Sequence, residues 1–114
     1  MAYAPDRGDI VLMNLSPQAG SEMAGEHRCI VLSEALYSIA TGYAVVSPIT
    51  TKLKGSPFEV QIPPGLKAKG CVIASEIRTV DYMARGTHFL EKSPRALVDQ
   101  VLDIACAILG RPAG

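Results

Sequence analysis

The side chains best suited to phosphate chemistry in this sequence stand where a predicted loop meets a predicted strand. Glu26, His27 and Arg28 lie just before the short apolar run Ile30–Leu32, which indicates a buried strand, and Glu22 lies in the loop that leads to them. A guanidinium carries N–H donors in a fixed plane that matches phosphate oxygens, and carboxylates and imidazoles can accept protons. A charged group at the end of a rigid strand, beside a loop, is typical of a functional site.

Thr50 marks a second position of this kind, because it follows the predicted strand Tyr43–Ile49. Its hydroxyl can donate a hydrogen bond to a non-bridging phosphate oxygen. The segment from Lys52 to Lys69 contains four lysines and one acid, Glu59, so it is locally basic although the whole chain is not. We predict RNA contacts for four residues: His27, Thr51, Lys54 and Arg78.

Each of these assignments has an ordinary structural alternative. Arg28 can form a surface ion pair with Glu22 or Glu26, Thr50 can be a sheet-edge threonine, and the lysines can cover a solvated loop face. A surface ion pair would contribute little to stability. Successive residues of a strand point to opposite faces, so His27 should point away from a site that Arg28 faces. We therefore rank His27 below Arg28.

The common signatures of metal and cofactor chemistry are missing from the sequence. It contains two histidines and three widely spaced cysteines, Cys29, Cys71 and Cys106, without a Cys-x-x-Cys or His-Glu-x-x-His pattern. We predict no metal and no cofactor. The residue types that remain suit phosphoryl transfer within RNA, because RNA carries its own nucleophile, the 2′-hydroxyl.

Length and composition indicate one globular domain spanning residues 1–114. Apolar residues make up 48% of the chain, and the formal net charge is zero, which counts against a protein that coats nucleic acid. No apolar run approaches the length of a membrane span, and the N-terminus resembles no secretory signal. The cysteines are interpreted as small buried hydrophobic residues, so a reducing, cytoplasmic location is expected.

Five to six short strands and one C-terminal helix predict a small α+β domain. The strands are predicted at Gly8–Asn14, Cys29–Ser33, Tyr43–Ile49, Phe58–Ile62, Gly70–Ala74 and Ile77–Val80. Pro48 predicts that the third strand lies at an edge or ends in a bulge. The strict alternation of the fourth strand assigns Phe58 to the buried face rather than to base stacking.

The helix is predicted to begin after Ser93, the expected N-cap, with Pro94 as its first residue. Apolar residues then recur at helical spacing as far as Ile108, and Gly110 occupies the place of a C-terminal glycine cap. A shorter helical turn is predicted after Ser33, again with that serine as cap. The wide apolar stripe of the C-terminal helix predicts contact with the sheet and with a second subunit.

Several motifs, in this order, resemble those of the MazF/PemK family of toxin ribonucleases. They are Gly20-Ser21-Glu22-Met23-Ala24-Gly25, His27-Arg28 before an apolar run ending in Leu32-Ser33, Pro48-Ile49-Thr50-Thr51, Lys54-Gly55-x-Pro57-Phe58-Glu59-Val60 and Ile77-Arg78-Thr79-Val80-Asp81. The resemblance spans roughly residues 6 to 110. It implies an SH3-like β-barrel with a terminal helix, and a homodimer.

The resemblance also implies a function. Members cut single-stranded mRNA at specific sequences without a metal, leave a 2′,3′-cyclic phosphate and a 5′-hydroxyl, and are blocked by a cognate antitoxin. Catalytic roles fall on the residues matching Arg28, Thr50 and Glu22. The general base is left open between Glu22 and His27.

Three departures from the family pattern concern the same region. Glu26 is an extra residue before His27, Cys29 replaces a frequent proline, and Ser75-Glu76 replaces a frequent Asp-Gln. The first two departures lie beside the predicted site and concern loop geometry and sequence preference. The resemblance is to the MazF-like branch, because the PemK-type branch has an Arg and an Asp on the strand of the last departure, where this chain has Ile73 and Ser75. The alternative function is that of CcdB-like toxins, which share the fold and bind DNA gyrase. That family ends in Trp-Gly-Ile, whereas this chain contains no tryptophan.

Overall fold

The computed structural model describes residues 2–16 and 25–111, and it has the predicted mixture of strands and a C-terminal helix. The elements are β1 (Asp9–Asn14), β2 (Glu26–Val31), α1 (Ala35–Thr41), β3 (Tyr43–Thr50), β4 (Glu59–Gln61), β5 (Cys71–Ile73), β6 (Arg78–Asp81), β7 (His88–Lys92) and α2 (Arg95–Ile108). The α+β class is confirmed. The described residues contain seven strands, one more than predicted, because β7 had not been recognised.

The strands form one antiparallel sheet in the order β4-β5-β3-β2-β1-β7, and β6 pairs with β3 outside that order. Among the described residues no pairing joins β4 to β7, so the sheet does not close into a complete barrel. Strand β7 lies at the edge and, in the described part of the chain, pairs with β1 alone. Its residues are exposed or half-buried throughout, which is why no alternating pattern indicated a strand there.

Strand β3 lies inside the sheet, so of the two alternatives predicted from Pro48, an edge strand or a bulge, the edge strand is wrong. Residues Tyr43–Val46 pair with β6, whereas Ile49 and Thr50 pair with β5. Pro48 lies in the interval between these two partners and faces Cys29 of β2 on the other side. A proline lacks the N–H that a ladder requires, and it is tolerated here because β3 exchanges one neighbour for another at this point.

Each face of the sheet packs against its own apolar cluster. One cluster joins Ile10 and Ile30 to Leu97, Val98 and Val101 of α2. The other cluster includes Met13, Cys29, Val31, Val46 and Tyr82. Alternate residues of β1 and β2 therefore face different clusters, and both strands are held in register by burial on both faces.

The ends of the helices differ in part from the prediction. Ser93 does not cap α2: its hydroxyl donates to the carbonyl of Gly8 at 2.7 Å, and Pro94 occupies the cap position without a side-chain bond. Ser33 does not cap α1 either, because its hydroxyl accepts from the backbone N–H of Val45. Both serines satisfy distant backbone groups instead.

The C-terminal end of α2 follows the prediction. Gly110 has a φ of +80° and donates to the carbonyl of Ala107, while Arg111 donates to Cys106. This pair of bonds is a Schellman motif, which requires the left-handed conformation that glycine adopts without strain. In the described part of the chain, no helix has the length and apolar character needed to cross a membrane.

Candidate active site

Arg28 and Thr50 lie at the same end of the β2–β3 pair. The strands are antiparallel with Cys29 opposite Pro48, so Arg28 precedes one member of this pair and Thr50 follows the other. Arg28 is exposed and Thr50 is half-buried. The ladder between β2 and β3 ends at this pair, while β3 continues beside β5 as far as Thr50. The backbones of the two residues thus lie at one end of this ladder, but strand alternation directs their side chains to opposite faces. Arg28 lies on the face of Ile30, which Ile49 shares in the core, and Thr50 follows Ile49. Arg28 is not among the residues that line the cleft beside Thr50.

His27 and Arg28 project from opposite faces of β2. Arg28 pairs with Leu12, on the face of Ile30, and His27 pairs with the buried Met13. This geometry follows from strand alternation, as the sequence indicated. Both residues lie at the ladder's open end. The register therefore leaves His27 near the site's edge without placing it beside the Arg28 side chain.

Thr50 lines a cleft of about 240 Å³ together with polar and charged side chains. Its other lining residues are Lys52, Lys54, Ser56, Glu59, Ile73 and Glu76. The Thr50 hydroxyl accepts a hydrogen bond from the backbone N–H of Lys52 at 3.0 Å, which fixes the oxygen while leaving its own proton to donate. The cleft thus offers a positioned hydroxyl beside two lysines.

The loop after Thr50 is organised by Glu59. Its carboxylate accepts from the backbone N–H groups of Lys54 and Gly55, at 2.9 and 3.0 Å. Both oxygens of this carboxylate therefore accept hydrogen bonds from the loop backbone. Lys54 is exposed, as is Thr51. The predicted RNA contacts of the loop lie on its accessible surface.

Phe58 is 42% exposed, so its assignment to the core is wrong. It stands in a turn closed by the N–H of Glu59 on the carbonyl of Ser56, and β4 begins only at the next residue. The alternation of Val60 and Ile62 therefore does not extend back to Phe58. Its ring is available for stacking beside the cleft.

Arg78 is placed differently from the other predicted RNA contacts. It is half-buried on β6, and its guanidinium donates to the carbonyl of Leu15 at 3.2 Å. Burial raises the pKa of the Cys29 thiol to about 12, although the positive charge of Arg78 acts in the opposite direction. Arg78 therefore lies beside β2 and the end of β1, and its structural bond competes with a contact to RNA.

Glu22 lies outside the described residues. The extra residue Glu26 is the first residue of β2, where it pairs with Asn14. We call Asn14–Ser16 and Gly25–Glu26 the neck, because they are the described residues on either side of positions 17–24. Leu15 donates to the carbonyl of Gly25 at 2.7 Å, and the N–H of Gly25 donates to the Ser16 hydroxyl at 2.9 Å.

Two residues near the site were missed by sequence reasoning. Arg85 donates from Nη1 to the carbonyls of Asn14 and Ser16, at 3.0 and 2.7 Å. Gly70 touches the backbone of Thr50. No local pattern marks either residue, because each acts through contacts with residues distant in sequence. Within residues 2–16 and 25–111, no three His, Cys, Asp or Glu side chains are grouped as a metal ion would require.

Comparison with known proteins identifies the class. The model of the PemK-like, MazF-like toxins of type II toxin–antitoxin systems matches residues 6–109. The chain is 38% identical to the endoribonuclease toxin MazF of Escherichia coli K12 over 84 residues, which cover 74% of this chain and 75% of that protein. It is 32% identical to the endoribonuclease PemK of Escherichia coli over 108 residues, covering 91% of this chain and 81% of PemK.

The fold gives the same result. A crystal structure of MazF from Deinococcus radiodurans superposes with a TM-score of 0.92 at 37% identity, covering 96% of this chain and 99% of the other. A MazE–MazF structure from the same organism has a TM-score of 0.86 at 37% identity, covering 96% and 98%. The protein is thus a toxin of the type II toxin–antitoxin class. Within that class it belongs to the MazF/PemK family of endoribonucleases, as the sequence motifs predicted.

Proposed function

We propose that this endoribonuclease cuts single-stranded mRNA at specific sequences by transesterification within the RNA, without a metal ion. The 2′-oxygen forms a bond to the adjacent phosphorus, and the bond from phosphorus to the 5′-oxygen breaks. The products are a 2′,3′-cyclic phosphate and a 5′-hydroxyl. The observation that supports this proposal most directly is the Thr50 hydroxyl, which the Lys52 N–H orients in a cleft lined also by Lys52 and Lys54.

The chemical roles follow from the side chains. Arg28 stabilises the negative charge that develops on the phosphorane oxygens, because its planar donors match two oxygens at once. Thr50 donates to a non-bridging oxygen from a hydroxyl that the Lys52 N–H already orients. A base takes the 2′ proton, and an acid gives a proton to the leaving 5′-oxygen. Glu22 and His27 are the two candidates for the base.

The cleft beside Thr50 supports recognition of unpaired RNA. Lys54 and Thr51 are exposed along the loop that leaves Thr50, and Phe58 offers a ring on the same loop. Single-stranded RNA is recognised by stacking and by contacts to phosphates and exposed base edges. We assign phosphate contacts to Lys54 and base contacts to Thr51 and Phe58. Arg78 supports the site from β6.

We further propose that the protein is a cytoplasmic homodimer inhibited by its cognate antitoxin. The MazF of Deinococcus radiodurans has been solved as a MazE–MazF assembly, and the present chain shares its fold and 37% of its sequence. Ile108 and Leu109, 44% and 74% exposed at the end of α2, are apolar surface that a second subunit can cover. An acidic, disordered antitoxin segment that folds on binding suits the basic loop at Lys52–Lys54.

The test uses the whole protein with a mixed-sequence single-stranded RNA in excess chelator. Discrete fragments that end in cyclic phosphate are expected, and Arg28→Ala should slow cleavage by about three powers of ten, as expected when a charge-stabilising donor is lost. Arg95→Ala is the matched control, because the Arg95 side chain is 92% exposed on α2 and pairs only within its own helix. Cleavage that requires added metal, or normal cleavage by Arg28→Ala, would contradict the proposal.

A further inference from the structure

Three successive backbone carbonyls at the end of β1 are held by arginines from distant parts of the chain. Arg85 Nη1 donates to Asn14 and Ser16, and Arg78 Nη1 donates to Leu15. The N–H of Asn14 in turn donates to the carbonyl of Arg85 at 3.1 Å. Arg85 thus both donates to and accepts from the neck, and its side chain and backbone act on the same segment.

Arg85 is itself fixed in place by the turn that follows β6. Its N–H donates to the carbonyl of Asp81 at 3.1 Å, and the next residue, Gly86, donates to Met83. The Asp81 carboxylate accepts from the N–H of Ala84 at 3.1 Å. These local bonds fix the turn, so the backbone that carries the Arg85 guanidinium is held in place. Arg85 is half-buried rather than free in solvent.

The neck connects this arginine to the site. Leu15 and Ser16 bond to Gly25, and Asn14 pairs with Glu26, which begins β2. Arg28 is two residues further along the same strand. A shift of the neck therefore moves the end of β2 from which Arg28 projects. A misplacement of about 1 Å can cost roughly 100-fold in rate, because the reacting groups must be aligned.

We infer that Arg85 is a positioning residue of the ribonuclease, which fixes the neck and thereby the N-terminal end of β2 that carries Arg28. This inference rests on the role proposed above for Arg28. It differs from a phosphate contact in one respect: the Arg85 donors that the structure shows in use serve backbone carbonyls of the neck.

The first measurement is amide hydrogen exchange on the whole protein, which does not depend on cleavage. Arg85→Gln should speed exchange at the amides of Leu15 and Gly25 by at least about tenfold, because the bonds that they donate to the Gly25 carbonyl and the Ser16 hydroxyl lose their support. Exchange at Ile10 and Ile30, deep in the sheet, should be unchanged. Arg95→Gln is the matched control and should change neither pair. Unchanged exchange at Leu15 and Gly25 would overturn the inference.

The second measurement separates positioning from RNA binding. Arg85→Gln should lower kcat by about 10- to 100-fold, as misalignment predicts, while the slope of log KM against log salt stays that of the parent. Lys54→Gln, at a proposed phosphate contact, should instead lower that slope by about 0.7. If Arg85→Gln behaves like Lys54→Gln, or keeps its kcat, Arg85 is not a positioning residue. If the parent protein leaves no cyclic phosphate, the proposed function fails. The role of Arg85 is then decided separately, by amide exchange and by kcat.

Discussion

A β-carbon at Gly70 would stand 2.0 Å from the carbonyl oxygen of Thr50. The two residues meet where β3 and β5 begin their pairing, since Thr50 is opposite Cys71. Gly70 also has a φ of +99°, which side chains rarely tolerate, and its carbonyl accepts from the N–H of Ile62 at 2.9 Å. The position of the Thr50 hydroxyl therefore depends on a glycine twenty residues further along the sequence, which has no side chain to clash with the Thr50 carbonyl.

Gly70→Ala should destabilise the protein far more than Gly65→Ala. Gly65 has a nearly identical φ of +100° with nothing within 4 Å of the added carbon. Gly65→Ala then measures backbone strain alone, about 1–3 kcal/mol of unfolding free energy. Gly70→Ala adds the clash with Thr50, and a total loss above about 4 kcal/mol is expected. Urea unfolding measures both values, and equal losses would show that the close approach is unimportant.

The Thr50 hydroxyl should be separable from the Thr50 backbone by substitution. Thr50→Val keeps the shape but removes both the donor and the oxygen that accepts from Lys52. We expect cleavage to slow by about 10²–10³-fold, the typical cost of losing one oriented donor. Thr50→Ser keeps the hydroxyl and should remain within about tenfold of the parent, since the donor is retained. Single-turnover cleavage of a defined RNA measures these rates, and equal rates for the two variants would remove the hydroxyl from the mechanism.

Residue types and spacing were sufficient to predict the α+β class, most strands and the end of α2. The apolar run Ile30–Leu32 is buried as predicted, and Gly110 ends α2 in the predicted left-handed conformation. Alternation was less reliable at strand ends. It placed Phe58 in the core, because a pattern cannot show that a turn intervenes before β4. It missed β7, whose edge position needs no buried face.

Only the chemically active groups of the candidate site could be proposed from the sequence. Arg28 and Thr50 could be selected because a guanidinium and a hydroxyl at strand ends suit phosphate, and the family motifs contain both. Gly70 and Arg85 could not be selected, because their effect lies in contacts across 20 and 71 residues of sequence. A proline or serine was likewise misread where a distant backbone group decided its role, as for Pro48 and Ser93.

Two buried serines should respond to alanine in opposite directions. Ser47 is fully buried opposite Ile30, and its hydroxyl has no hydrogen-bond partner among the described residues. Ser38 is equally buried, but its hydroxyl donates to the carbonyl of Pro5 at 2.7 Å. Ser47→Ala should raise the unfolding free energy by about 1 kcal/mol, and Ser38→Ala should lower it by about 1–2 kcal/mol. Urea midpoints measure both changes, and a loss on Ser47→Ala would indicate a partner for its hydroxyl.

The three thiols should differ in reactivity at pH 8. Cys29 and Cys71 are buried, and burial raises the pKa of both thiols, to about 12 for Cys29. Cys106 is half-buried on α2. The thiolate is the reactive form, so a thiol reagent should label Cys106 first and the other two only on unfolding. Cys106→Ser should abolish the fast reaction, and rapid labelling that persists in this variant would contradict the burial of Cys29 and Cys71.

The same burial gives stability a pH dependence with a defined sign. The pKa of an unfolded cysteine is about 8.5, whereas burial raises the pKa of folded Cys29 to about 12. The unfolded state therefore loses the proton first. The contribution of Cys29 to the unfolding free energy is complete below the pKa of the unfolded cysteine and declines as the pH rises toward 12. Between pH 7.5 and 10 the parent should lose about 2 kcal/mol more than Cys29→Ala, one unit of pH being worth 1.36 kcal/mol above the unfolded value. Parallel curves for the two proteins in urea unfolding would show that Cys29 does not titrate differently on folding.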